Sequence, residues 1–153
     1  LIMSGQWIPD SHMVETGLKA LRWLLRVQTG EGECLSIVGN DGWCPRDGEK
    51  AKFDQQPIEA MILVHVCLEA YNCTQEKSWL DEARRCFHWF LGRNDLGAAL
   101  YDFETGGCQD GLHPNGVNAN QGAESTLAWL LALTALHTVR AAKPAEEDSP
   151  KTE

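Results

Sequence analysis

Two loop-to-helix junctions of one design carry the residues best suited to chemistry. In each, a polar loop runs into glutamine, then proline or glycine, an apolar residue and glutamate, before a long apolar helix. The copies are 53–60 (Phe-Asp-Gln-Gln-Pro-Ile-Glu-Ala) and 118–125 (Asn-Ala-Asn-Gln-Gly-Ala-Glu-Ser). Paired carboxyl groups can act as general acid and base. The candidate catalytic residues are therefore Asp54, Glu59, Asp110 and Glu124.

Side chains around these carboxylates are suited to binding a hydroxylated ligand. Amides can donate hydrogen bonds to hydroxyl groups and accept them. Aromatic rings can stack on a flat face of a ligand. A histidine in the second loop, just before Pro114, can approach the same polar side. The predicted substrate-binding residues are Trp43, Phe53, Gln55, Gln56, Tyr101, His113, Asn120 and Gln121.

A purely structural interpretation of the junctions stays open. With Gln56 as N-cap and Pro57 as the first helical residue, Glu59 takes the acidic position of a capping box. Glu124 has the same position in the second copy, Asp54 can itself be a cap, and Asp110 can belong to a turn. Against this, glutamine is a poor N-cap, and local violations of such rules concentrate at functional sites.

Apolar periodicity predicts four helices joined by two long polar loops. The first and third helices are amphipathic, whereas the second and fourth are apolar nearly all round and should be buried. The predicted helices are 12–27, 56–71, 77–92 and 121–140, and the loops are 28–53 and 93–119. We expect an irregular lead-in over 1–10, a helical repeat domain over 11–141 and a disordered acidic tail over 142–153.

An internal repeat organises these helices. Trp23-Leu24-Leu25 aligns with Trp89-Phe90-Leu91, and the two junctions align at nearly the same spacing. The sequence thus predicts an all-α fold of two helical hairpins, over about 11–72 and 77–140. About three repeats are usually needed for a stable stack. We therefore expect leftover apolar surface, covered by a second copy of the chain or by further hairpins.

The repeat and its motifs resemble the (α/α) toroids of the six-hairpin glycosidase-like superfamily. The strings at 53–60, 89–95 (Trp-Phe-Leu-Gly-Arg-Asn-Asp) and 110–126 are similar to the C-terminal part of all-α domains found beside bacterial glycosyltransferases. The resemblance covers roughly 10–140. A full toroid has six hairpins, so it implies a partial toroid here. It also implies a carbohydrate ligand, with catalytic carboxylates at the ends of the inner helices.

Two functions follow as expectations. The first is a carbohydrate-active helical domain that hydrolyses glycosides through an Asp/Glu acid/base pair. The alternative is a non-catalytic sugar-binding or scaffold module of a larger enzyme, completed by oligomerisation.

Charge and cysteine content limit the partners and cofactors. A net charge of -9 argues against nucleic acid and anionic membranes, and it also serves solubility. The first residues lack the basic and apolar regions of a secretory signal, so we expect a cytoplasmic protein with six free thiols. Cys34, Cys44, Cys108 and His113 could hold zinc, but without a CxxC pair we expect no metal. With no P-loop or Rossmann pattern, we expect no cofactor.

Overall fold

The computed structural model describes residues 1–141, and within them the chain forms five α-helices and one small sheet. The helices are α1 (Ile2–Trp7), α2 (Ser11–Val27), α3 (Pro57–Thr74), α4 (Ser78–His88) and α5 (Ala123–Ala141), and the strands are β1 (Gly111–His113) and β2 (Gly116–Asn118). The four long helices lie where the periodicity predicts them, so a mostly helical fold is confirmed. The predicted acidic tail, 142–153, lies outside the described residues.

Helix α3 is the centre of the fold, because it packs against both α4 and α5. Leu63, Val64 and Cys67 lie on its buried face. The helix begins with Pro57 at its first turn, where the missing N–H costs no intrahelical bond. Its apolar composition is the reason that it can contact several neighbours at once.

Trp129 of α5 joins helix α4 to the loop that connects α4 and α5. Its ring stacks on Phe87 of α4 at a centroid distance of 5.0 Å and on Tyr101 at 4.4 Å. Phe90 meets it edge-on at 5.6 Å. This aromatic cluster fixes the loop between α4 and α5 against the helices, so the second junction is held by core packing.

The prediction of an irregular lead-in over 1–10 is wrong for most of that segment, since α1 occupies it. Ile2 and Gly5 are buried against α2, and a Cβ on Gly5 would lie 2.8 Å from the Asp10 carbonyl oxygen. Asp10 then caps α2, its Oδ1 accepting hydrogen bonds from the backbone amides of His12 and Met13. A close contact at a glycine cannot be predicted from apolar periodicity, so α1 was not expected.

The mostly helical class is supported, and the second loop adds a small β-hairpin to it. β1 and β2 are antiparallel, and they pair Leu112 with Val117 and His113 with Gly116 around the turn Pro114–Asn115. Gly116 has a φ of 137°, a backbone conformation that favours glycine. The buried side chain of Leu112 anchors the hairpin to the core.

The inner helices are less buried than the sequence predicts. Ile62 of α3 is 52% exposed, and one side of α5 presents a row of leucines to solvent. That row, which we call the α5 leucine face, consists of Leu127, Leu130, Leu131 and Leu133. Uniform apolarity predicts burial on every side, but within residues 1–141 no further helix covers these side chains.

Candidate functional site

The ends of the two long loops meet through a pair of backbone hydrogen bonds. The Gln55 amide donates to the Leu112 carbonyl at 3.1 Å, and the Leu112 amide donates to the Gln55 carbonyl at 2.9 Å. This bridge places the start of α3 beside the β-hairpin that precedes α5. We call the surface around this bridge, formed by the first junction and by the hairpin that leads into the second junction, the junction face.

Gln55 is predicted to bind substrate, but its side chain points into the protein and not to the junction face. Its side chain is fully buried. Nε2 donates to the Lys52 carbonyl at 2.8 Å and to Oδ2 of Asp95 at 2.6 Å, and Oε1 accepts from Nε1 of Trp89 at 2.8 Å. Gln55 thus holds the first loop to the end of α4.

Asp54 and His113 form a contact between the two loops. Nδ1 of His113 lies 2.5 Å from Oδ1 of Asp54. Both side chains remain open to solvent, with 43% of His113 and 42% of Asp54 exposed. An ionised carboxylate only accepts hydrogen bonds, so Nδ1 carries the proton of this bond. We call this pair the Asp54–His113 dyad.

Glu59 occupies the first turn of α3 and is half-buried. Burial raises the pKa of its carboxyl group, and a hydrogen bond from the Gln56 backbone amide partly opposes that rise. Its Oε2 is buried and has no hydrogen-bond partner within the described chain. The Gln56 side chain makes no capping bond in return, so only half of a capping box forms. A carboxyl group in this position is suited to holding a proton.

Asp110 has the opposite environment. Oδ1 accepts from the Gly122 amide at 2.7 Å and from the Ser125 hydroxyl at 2.6 Å, and Oδ2 accepts from the Asn120 amide group. The hydrogen bonds from Ser125, Asn120 and Gly122 lower the pKa of Asp110 below its usual value. The residue thus caps the start of α5 and stays ionised, which leaves it little capacity as a catalytic acid.

Gln121 and Asn120 are also engaged with neighbouring side chains. Gln121 donates from Nε2 to Oδ2 of Asp102 at 2.8 Å and accepts from the Thr105 hydroxyl at 2.8 Å. Hydrogen bonds from the Glu104 amide and from Gln121 lower the pKa of Asp102. Asn120 is exposed but donates to Asp110. The second junction is therefore a closed polar network.

The remaining predicted site residues differ in exposure. Glu124 is exposed at the first turn of α5, and Gln56 is partly exposed. Trp43 is 69% exposed, whereas Phe53 packs partly against the core. The Tyr101 ring stacks on Trp129 and makes an edge contact with Phe103. Phe103 is itself 79% exposed. Within the two long loops, Trp43 and Phe103 are the most exposed rings, and Phe103 is a residue that the sequence did not single out.

All six cysteines are free thiols. Cys67 and Cys86 are buried between α3 and α4, and Cys108 is buried beneath the second loop. Burial raises the pKa of the Cys108 thiol to about 12. Within residues 1–141 no three His, Cys, Asp or Glu side chains are grouped as metal ligands, and Cys34, Cys44, Cys108 and His113 are thus not clustered.

The sequence did not predict the residues that hold the site residues in place by hydrogen bonds. Asp95 and Trp89 fix Gln55, Asp102 fixes Gln121, and Ser125 fixes Asp110. Asp95 is 5% exposed and is also paired with Lys52 at 3.4 Å. In the sequence, the string 89–95 stands out through the internal repeat and the resemblance, and neither links it to the first junction. A buried indole that needs a hydrogen-bond acceptor is the physical signal that could have linked it to the first junction.

Comparison with known proteins gives no family for this chain. No protein-family model matches it, and no curated protein matches it. Among the described helices, none has the length and hydropathy required to cross a bilayer.

Proposed function

We propose that this chain is a carbohydrate-active helical domain that binds its ligand on the junction face. The observation that carries the proposal is the backbone bridge between Gln55 and Leu112, which joins the first junction to the hairpin that leads into the second junction. Sugar-binding sites combine carboxylates and amides for hydroxyl groups with exposed aromatic rings for stacking. The face has the exposed dyad, the second junction has the exposed Glu124, and the exposed rings Trp43 and Phe103 belong to the two loops that form the face.

The chemistry that fits best is glycoside hydrolysis by an acid and a base. Glu59 is the acid, because burial favours its protonated form and would let it protonate a leaving oxygen. Asp54 belongs to the base side of the reaction, because it is hydrogen-bonded and exposed. Asp110 is a structural carboxylate in this scheme. The proposal therefore moves the acid/base pair to the first junction.

We infer also that the two hairpins belong to a toroid-like stack and that the protein works in a reducing compartment. The repeat, with its outer amphipathic and inner apolar helices, supports the first inference. The six free thiols support the second, which is the cytoplasmic location expected from the sequence.

The test is a glycan array probed with the labelled full chain, followed by calorimetry on any hit and by turnover assays with aryl glycosides. Glu59→Gln should keep sugar binding and lose turnover, because glutamine keeps the shape of the side chain and cannot give up a proton. Asp81→Asn is the matched control, since Asp81 pairs with Arg84 at 2.8 Å on α4 and lies outside the junction face.

Binding without turnover in the wild-type chain would leave the sugar-binding function and remove the hydrolytic one. The carbohydrate proposal fails entirely if no glycan is retained by a chain whose fold is intact by circular dichroism.

The second candidate is a scaffold module completed by another copy of the chain. Two observations favour it. The α5 leucine face is uncovered, and an apolar cavity of about 650 Å³ opens at the other side, between α1, α2 and α3. Trp23 and Ile62 line this cavity and are each more than half exposed. Exposed apolar patches of this extent usually mark interaction surfaces.

Sedimentation equilibrium of the wild-type chain tests this candidate. A self-associating protein should show a mass above 17.0 kDa that falls on dilution. Leu131→Lys should shift the equilibrium to monomer, because it places a charge in the α5 leucine face. Lys19→Glu on α2, 73% exposed in its side chain, serves as a charge-change control. A wild-type monomer at every concentration contradicts this candidate.

A further inference from the structure

The Asp54–His113 dyad carries a chemical role that neither the acid Glu59 nor the amides supply. We propose that His113 is the proton-accepting base of the junction face, and that Asp54 acts through it as a positioning residue. The juxtaposition comes from two elements far apart in sequence, the end of the first loop and strand β1.

The bond at Nδ1 determines which nitrogen is reactive. Because Asp54 accepts the Nδ1 proton, the neutral ring has its lone pair at Nε2. No hydrogen bond occupies Nε2 within the described chain. The ring is 43% exposed, so a ligand or water can reach that nitrogen. A carboxylate that fixes the tautomer of histidine and stabilises its imidazolium form is the arrangement of a general base.

The backbone around the dyad limits the freedom of both partners. His113 is held in β1 by its pairing with Gly116, and its neighbour Leu112 is fully buried. Asp54 directly precedes the buried Gln55, whose side chain is fixed at both ends. Both side chains therefore start from anchored backbone, which keeps them in contact at little cost in conformational entropy.

In the step that we propose, a bound water loses a proton to Nε2 of His113 as its oxygen attacks the anomeric carbon. The O–H bond breaks and the N–H and C–O bonds form. The glycosidic C–O bond breaks at the same time, and its oxygen takes the proton of Glu59. His113 becomes an imidazolium next to the Asp54 carboxylate, and exchange with solvent then restores both groups. The attacked bond rests on the proposed function, whereas the dyad itself does not.

The experiment examines the full chain without any substrate. In a long-range proton–nitrogen NMR spectrum of the ¹⁵N-histidine-labelled protein, neutral His113 should show the tautomer protonated at Nδ1. Its assignment follows from the signal lost in His113→Gln. The opposite tautomer, or an even mixture of the two, in the wild-type protein overturns the proposal without any need for a dyad variant to fold.

Reaction with diethylpyrocarbonate gives the second readout. Nε2 attacks a carbonyl carbon of the reagent and expels ethyl carbonate, and the ring then gives up its Nδ1 proton. Asp54→Asn should slow this modification of His113 by roughly tenfold, because the charge-assisted hydrogen bond is lost. Exposed His12 on α2 is the internal control and should not change. Asp81→Asn removes the same charge elsewhere and should leave both rates unchanged.

Equal rates for wild type and Asp54→Asn would overturn the dyad, whatever the sugar experiments show. Conversely, a confirmed tautomer and rate effect, together with an empty glycan array, would remove the carbohydrate function and keep His113 as an activated base.

Discussion

The two junctions share one sequence design but use it differently. At the first, Glu59 has a buried oxygen without a partner and a raised pKa, and Asp54 meets an exposed histidine. At the second, Asp110 accepts three hydrogen bonds and has a lowered pKa, and Gln121 is bound on both sides. One sequence motif can therefore be structural at one junction while the other junction keeps reactive groups free.

The largest expected effect comes from removing the buried hydrogen bonds that Gln55 makes at the first junction. Gln55→Leu leaves Nε1 of Trp89 without an acceptor, and it leaves the buried carboxylate of Asp95 with only its ion pair to Lys52. We expect a loss of about 3 kcal/mol in the free energy of unfolding, measured by urea denaturation, because buried polar groups without partners are costly.

Its matched control is the neighbouring glutamine. The Gln56 side chain makes no hydrogen bond within the described chain, so Gln56→Leu should change the stability by less than about 0.5 kcal/mol. Equal losses in the two variants would show that the Gln55 network does not hold the junction.

Removing the hydrogen bonds that hold the second junction should lower the free energy of unfolding by a smaller amount. Asp110→Ala removes the acceptor of the Gly122 amide at the start of α5, and we expect a loss of about 2 kcal/mol at neutral pH, the upper end for such caps. The native pKa of Asp110 is lowered, so its stabilising contribution is present above the ordinary aspartate value of 3.8. That contribution disappears as the pH falls through the native pKa.

Urea titrations at neutral pH and at about pH 2 measure this difference. Glu124→Ala is the control, because Glu124 is exposed and should contribute within about 0.5 kcal/mol at either pH. A loss for Asp110→Ala that did not shrink on acidification would contradict the capping role of the ionised carboxylate.

The smallest effect has the opposite sign. The pKa of Glu59 is raised in the native state, because burial disfavours the charged form of its carboxyl group. The stability contributed by the protonated form is therefore lost as the pH rises through the native pKa. Glu59→Gln should therefore stabilise the protein at neutral pH, by about 0.5–1 kcal/mol. The gain should vanish below the ordinary glutamate value of 4.5, where wild-type Glu59 is protonated in both states.

A stability scan of wild type and Glu59→Gln across this pH range measures the gain. A variant that is less stable than wild type at neutral pH would mean that the Gln56 amide outweighs burial. In that case both junctions would be caps, and the contrast between them would disappear.

The sequence by itself determined the four long helices and the presence of two polar loop-to-helix junctions. These follow from local patterns, since apolar spacing and turn residues act within a few positions of the chain. The sequence also determined which residue types could carry chemistry. It could not separate Gln55 from Gln56, because the two are identical in type and adjacent.

Tertiary structure decided how each of those groups is used. Gln55 is structural because Trp89 and Asp95 reach it from the end of α4, and Asp110 is a cap because Ser125 and Gly122 donate to it. The dyad exists only because β1 pairs with the end of the first loop. The physical reason is that proton affinity and reactivity depend on burial and hydrogen bonds from distant segments, which no local pattern encodes.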